Sequence, residues 1–395
     1  MLSRSPVPAV TIPSTQPEET AVTSMTDPAA GDDPAPVTGV VIGVDTHKDR
    51  HVAVAITPLG VRLGQTSCPA STTGYRQLHA WAGGFGPVHA FGVEGTGSYG
   101  AGLQRHLRAA GQVVCEVNRP DRATRRRRGK SDPIDAEAAA RAVLAGHAQT
   151  SPKAADAAVE MIRMVKTVRS SAVKARTQAI NQIHALLVTA PAELREELAG
   201  LSTTQLITTC ADLTDTTDST DPGDLADAAG LADLLAGPTA LARHTLAVLA
   251  RRAQALHTEA TQASALIARL ARRAAPRLLQ LFGVGPDTGA TLLITAGDNP
   301  ERIHTEAALA ALCGTNPIPA SSGKTNRHRL NRGGDRQANA ALHRIIVVRL
   351  RHHAPTRAYM ARRTAEGKTK REIIRCLKRY LVREIYQALN TPTAA

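Results

Sequence analysis

The stretch Val40-Val41-Ile42-Gly43-Val44-Asp45-Thr46-His47-Lys48 most constrains the fold: an apolar run that ends on a carboxylate. Four β-prone residues among the first five favour a buried strand, and Asp45 falls where that burial stops. Asp also opens ordinary turns, so its meaning depends on the chain around it. Short connections link this run to β-rich stretches at His51 to Thr57 and Val61 to Thr66, the second through Pro58-Leu59-Gly60. This predicts an antiparallel meander. A helix over 71–82, a strand from Val88 to Glu94, a helix over 99–110, a strand from Val113 to Val117 and a helix over 132–145 complete it as a mixed five-stranded α/β sheet.

Three further carboxylates give Asp45 its weight. Glu94 ends the fourth strand, and Asp132 and Asp135 open the last helix three residues apart. If the first and fourth strands are neighbours, their ends lie together, while positions i and i+3 of a helix share a face. All four acids then converge, and such a cluster repels itself unless cations neutralise it. Hard oxygen ligands favour magnesium or manganese, and two such ions about 3.5 to 4 Å apart stabilise the attacking and leaving oxygens of a phosphodiester. Taken singly, Asp132 is also a good helix N-cap and Glu94 a good turn residue.

The rest of the chain reads as helical and basic. Residues 1–37 are rich in Pro, Thr, Ser and Ala and cannot pack; they hold no apolar segment of a secretory signal, and Met25 stands as an alternative start. Over 155–190, Val165, Val168, Ala172, Ala175, Ala179, Ile183 and Leu186 mark one long helix. Leu246, Leu249, Ala253, Leu256, Ala260, Ala263, Ile267 and Leu270 give a second a coiled-coil seam. A hairpin within one chain and a dimer fit this pattern equally. Between the helices, 201–240 carries seven Asp and no Lys or Arg, and reads as a solvated acidic insert. The domains expected are therefore a tail over 1–37, the sheet domain over 38–150, a coiled-coil linker over 151–275 and a basic all-α domain over 276–395.

The net charge of +14 calls for a polyanionic partner, nucleic acid before anionic membrane. From Ser322 onward 18 Lys or Arg face 4 Asp or Glu, so this end alone carries the whole excess. No apolar run reaches the roughly 18 residues of a membrane span. Five scattered cysteines without metal-ligand spacing read as free thiols of a reducing cytosol, with no zinc indicated. Arg125, Arg126, Arg127, Arg128 and Lys130 directly precede Asp132 and are candidates to hold a nucleic-acid backbone. Gly283-Val284-Gly285 looks like the turn of a helix-hairpin-helix, where amides meet a phosphate. A third candidate is the loop from Gly314 to Lys324, followed by Arg327, Arg329 and Arg332. It offers hydroxyls beside many cations, and chemistry alone does not choose between a phosphate-binding loop and a catalytic serine. With nine aromatic residues in the chain, base-stacking platforms are scarce.

Val44-Asp45, Glu94-Gly95-Thr96-Gly97-Ser98-Tyr99 and Lys130-Ser131-Asp132-Pro133-Ile134-Asp135-Ala136, in that order, resemble the DEDD transposases of the insertion-sequence-110 family. The catalytic domain of that family is similar to Holliday-junction resolvases of the RNase H-like fold. Gly283-Val284-Gly285, Leu312-Cys313-Gly314-Thr315-Asn316-Pro317 and Ser321-Ser322-Gly323 resemble its second domain. The resemblance covers roughly 38–150 and 276–390; the acidic insert and long tail depart from compact members. It implies that the four acids bind magnesium or manganese and that a serine, matching Ser322 here, joins covalently to DNA. It also implies a noncoding guide RNA pairing with donor and target DNA, and a bacterial, cytoplasmic, nucleoid-associated homo-oligomer, dimer or tetramer. The reading is thus a DNA recombinase, whose acids and serine, far apart in sequence, meet in trans between subunits. Beside it stand a resolvase-like nuclease whose metal-bound water attacks while Ser322 only contacts phosphate, and a non-catalytic nucleic-acid-binding protein. The intact spacing of all four acids speaks against the last.

Overall fold

The computed structural model describes residues 39–118, 131–213, 237–325 and 327–390. The expected tail, the basic run Arg125 to Lys130 and most of the acidic insert lie outside them. Alternation along β1 (Val40–Thr46) decides the layering, because successive side chains point to opposite faces. Val40, Ile42 and Val44 pack into one cluster with Leu78, Leu103 and Leu107. Val41 packs on the other face against Ala136 and Ala140. The first face is covered by α1 (Thr72–Gly83) and α2 (Ala101–Ala109), the second by α3 (Asp132–Leu144). Each fully buried Leu contributes about 2 kcal/mol by leaving water.

The sheet runs β3-β2-β1-β4-β5, with β2 (Arg50–Ile56), β3 (Arg62–Pro69), β4 (Val88–Glu94) and β5 (Val114–Val117). The first pairings, β1 with β2 and β2 with β3, are antiparallel, as the short turns require; β1 with β4 and β4 with β5 are parallel, joined through helices. The expectation that the first and fourth strands are neighbours holds, with Val44 opposite Val93.

Two long helices follow, α4 (Ala158–Thr189) and α7 (Pro238–Ala274). They pack antiparallel within the chain: Ala179 and Ile183 share a cluster with Leu246, Ala250 and Ala253, while Val159 and Ile162 share one with Ile267 and Ala271. The seam differs from the sequence pattern at Val168, which is 47% exposed. Arg169 turns inward in its place and donates to Ser264 Oγ at 2.8 Å. The supposed solvated insert also begins as structure. After α5 (Ala192–Glu197), α6 (Thr203–Ala211) starts with a capping box of Ser202 and Gln205 and buries Leu206, Ile207 and Cys210 against the long helices. Its apolar spacing outweighs the acidic composition that follows.

The C-terminal part comprises α8 (Pro276–Gln280), α9 (Pro286–Ala296), α10 (Glu306–Leu312), α11 (Arg336–His352), α12 (Ala354–Ala365) and α13 (Lys370–Asn390). It is not all-α: β6 (Pro317–Pro319) and β7 (His328–Leu330) form an antiparallel hairpin. Two prolines in three residues forbid a helix there, and the extended backbone pairs instead. The expected boundary near Pro276 breaks a helix but not the packing, because Val159, Ile162, Ile267 and Ala271 belong to the same core as Leu342, Ile345 and Leu381. The sheet is tied to this core by Gln104, which donates to the Lys153 and Ala154 carbonyls at 3.1 Å, and by Asn299, which accepts from the Ala154 amide at 2.8 Å.

Candidate metal centre and cation-lined groove

Strand parity puts the acids on one side. Asp45 shares its face of β1 with Val41 and Gly43, and Glu94 shares its face of β4 with Ala90 and Gly92, so both point toward α3, which carries Asp132 and Asp135. Gly43 allows this approach: a Cβ there would overlap the carbonyl oxygen of Ala136 and the amide nitrogen of Ala140. Beyond the last register pair, Thr46 Oγ1 donates to the Glu94 carbonyl at 2.8 Å and pins the two strand ends together. Gly95, at φ +67°, then turns the chain away with a backbone conformation that a side chain would strain.

Asp45, Glu94 and Asp135 are buried, while Asp132 sits half exposed at the mouth. The side chain that joins Asp45 to Asp132 is His47, which the spacing of the acids does not point to. His47 Nε2 lies 3.1 Å from Asp45 Oδ2 and 3.3 Å from Asp132 Oδ1. Donor atoms of Asp45, His47 and Asp132 all fall within 4.8 Å of one another. Asp45 is held above the usual carboxylate range, first by burial, with His47 opposing and Asp135 and Asp132 adding to the rise. A buried carboxylate facing two like charges fits a divalent cation, which removes both penalties at once. Glu94 and Asp135 do not join the tight group of three; Glu94 stands one strand over and Asp135 acts on Asp45 through its charge. The signal for His47 was its place two residues beyond Asp45, where the strand parity continues.

The second constellation sits on the hairpin. Ser321 and Ser322 are both exposed, but their hydroxyls differ. Ser321 Oγ accepts from the Arg327 amide at 3.1 Å and donates to its carbonyl at 3.3 Å, closing the loop. Ser322 engages Thr325 through its backbone, at 3.1 and 3.0 Å, which leaves its hydroxyl outside that ring of bonds. Cys313 is no rival nucleophile, because burial, helped by Asp335, pushes its thiol up to about 12.

The hairpin also walls a cleft of about 980 Å³ whose far side is α13. Among the described residues, seven Lys or Arg side chains line it and no carboxylate does. Among the described residues none of Arg329, Arg332 and Arg336 forms an ion pair. Lys378 is buried enough that its pKa falls. Arg379 gives one nitrogen to Glu306 and keeps Nη1 buried without a partner. The sequence signal for the contribution of α13 is that Arg375, Arg379 and Arg383 recur every four residues, a cationic stripe on one helix face. The described contacts of the turn at Gly283 are internal to the chain. The Gly285 amide, expected to meet a phosphate, donates to Thr288 Oγ1 at 3.1 Å. Phe282 next to it accepts from Arg349 Nε at 2.8 Å, and Asp287 draws Lys166, Arg169 and Arg344 to 2.6, 3.0 and 3.1 Å.

A mixed sheet with acids at its strand ends, joined to a groove whose charged lining among the described residues is cationic, fits a protein that meets a divalent cation and a polyanion. Residues 42–190 match the family model described as Transposase, of the DEDD IS110 type, and residues 275–361 match the one described as Transposase IS116/IS110/IS902 family. Over 119 residues the chain is 32% identical to an "Insertion element IS110 uncharacterized 43.6 kDa protein" of Streptomyces coelicolor, a match spanning 30% of this chain and 29% of that relative. The chain belongs to the IS110 family of transposases. No helix among the described residues is long and apolar enough to cross a membrane.

Proposed function

We propose that the protein cuts and rejoins DNA strands at an insertion sequence, with an RNase H-like acid site and Ser322 as nucleophile. One observation carries this: Asp45 and Asp132, from a strand end and a helix start 87 residues apart in sequence, meet at a single imidazole nitrogen, 3.1 and 3.3 Å away. Asp45, Asp132, Glu94 and Asp135 would hold magnesium or manganese. When bound, the cation supplies Lewis-acid stabilisation of charge on the phosphate oxygens. Ser322 Oγ forms a bond to phosphorus as one strand oxygen leaves; the serine proton is lost and the leaving oxygen ends as a hydroxyl. Rejoining reverses these changes, so the covalent adduct conserves the phosphoester bond.

The groove holds the backbone at this step through Arg329, Arg332, Arg336, Arg375 and Lys378, with Lys324 and Arg327 at the hairpin tip. The few aromatics leave base reading to a pairing nucleic acid, the guide RNA that the family resemblance implies. Replacing Arg332, Arg336 and Arg375 by Ala weakens binding to all DNA sequences alike. It also lowers the slope of log affinity against log salt by about one for each phosphate that is no longer neutralised. A weakening confined to one sequence would assign these residues to base reading.

Incubation with DNA and magnesium is expected to give a protease-sensitive DNA adduct in the wild type and none in Ser322→Ala. Cleavage without adduct would assign the attack to water. The acids and the serine belong to different halves of the chain, and we place them on one phosphate in trans within a homo-oligomer. Mixing Asp132→Asn with Ser322→Ala subunits, each inactive alone, then restores cleavage. If mixed oligomers form and stay inactive, both groups act from one chain.

A further inference from the structure

We propose that His47 is a nitrogen ligand of the cation held by Asp45 and Asp132, and that this imidazole makes the site favour manganese over magnesium. The inference rests on the metal-site reading above. Adjacent ligands of an octahedral ion with bonds of 2.0–2.2 Å stand about 3 Å apart. His47 Nε2 stands 3.1 Å from Asp45 Oδ2 and 3.3 Å from Asp132 Oδ1, so the imidazole nitrogen has the spacing of a neighbouring corner to each carboxylate oxygen, and all three donors fall within 4.8 Å of one another.

The backbone fixes the ring there. The His47 amide donates to the Arg50 carbonyl at 3.1 Å in the tight turn between β1 and β2, which holds the residue two positions beyond the buried Asp45. The imidazole is 46% exposed, on the open side of the cluster, so ligand positions beyond it stay accessible to water or phosphate. As a ligand, Nε2 would present its lone pair to the cation while Nδ1 carries the ring hydrogen.

The chemical consequence is selectivity. Magnesium takes hard oxygen ligands and gains little from imidazole, whereas first-row transition ions bind nitrogen well. An imidazole added to the carboxylates therefore makes the site discriminate between these ions more than carboxylates alone would. His47→Ala is expected to lower the preference for manganese over magnesium at least about tenfold, the scale on which even the outer partners of metal ligands count.

The test uses the full-length chain without DNA and manganese as the probe. Electron paramagnetic resonance reads free against bound manganese, its pulsed form reads coupling to a ligand nitrogen, and magnesium titration gives the selectivity. The wild type is expected to show nitrogen coupling that disappears in His47→Ala and His47→Gln, with manganese still bound more weakly and magnesium binding nearly unchanged. Manganese bound without nitrogen coupling, or an unchanged manganese-to-magnesium ratio in both variants, overturns the role of His47 and leaves the acid site standing. Binding unaltered by Asp45→Asn and Asp132→Asn overturns the metal site itself.

Discussion

Asp45→Asn and Asp132→Asn are each expected to lose strand cleavage by roughly a thousandfold or more, because the several kcal/mol that a bound cation supplies convert at about 1.4 kcal/mol per decade. Glu94→Gln and Asp135→Asn follow the same direction, since each keeps the shape of the side chain and removes a charge. Folding survives in all four. Burial and two neighbouring acids together outweigh His47 in opposing the charge of Asp45, so the metal-free Asp45→Asn protein is expected to be at least as stable as the wild type. Divalent cations then raise the thermal midpoint of the wild type and not of the variant, as expected for a ligand that binds only the folded state. Cleavage assays beside thermal unfolding check both halves. Wild-type cleavage in two or more of these variants would remove the acids from the chemistry.

How much of this was legible in the sequence follows from where each signal lives. The sheet order was readable because apolar alternation and short turns are local, and Asp45 and Glu94 inherit their places from them. Asp132 and Asp135 were readable because a helix start is also local. His47 was legible only in its place two residues beyond Asp45, which does not by itself separate a turn histidine from a ligand; the packing of α3 brings Asp132 to it. The β6–β7 hairpin reads as loop in the sequence because two prolines and a run of small residues weaken any strand pattern, and pairing across it depends on residues about ten positions apart. Val168 reads as part of the helix seam because an apolar residue outranks an arginine in any periodicity count, yet Arg169 reaches Ser264 and takes the inner position. The cation-lined groove combines the hairpin with α13, which lies well beyond it in the chain, so its charge was visible and its shape was not.

Gly43→Ala is expected to be the most disruptive single methyl group in the sheet domain. The added Cβ would meet backbone atoms on α3, the Ala136 carbonyl oxygen and the Ala140 amide nitrogen, and backbone cannot rotate away as a side-chain tip can. Overpacking costs about 1–3 kcal/mol where side chains can shift, and here only a displacement of the helix relieves the overlap, so the loss lies at the upper end or beyond. The same displacement carries Asp132 and Asp135 away from Asp45 and His47, because both acids sit in the first turn of the displaced helix. Stability and cation binding therefore fall together in this variant, whereas Asp45→Asn loses the cation alone. Gly83→Ala is the control: it ends α1 with nothing within 4 Å of an added Cβ, and alanine there is neutral or slightly stabilising. Denaturant unfolding of the two variants beside manganese binding makes the comparison. A Gly43→Ala protein with wild-type stability and undiminished binding would show that α3 can lift from β1 without opening the site, and the close approach would then not be what builds it.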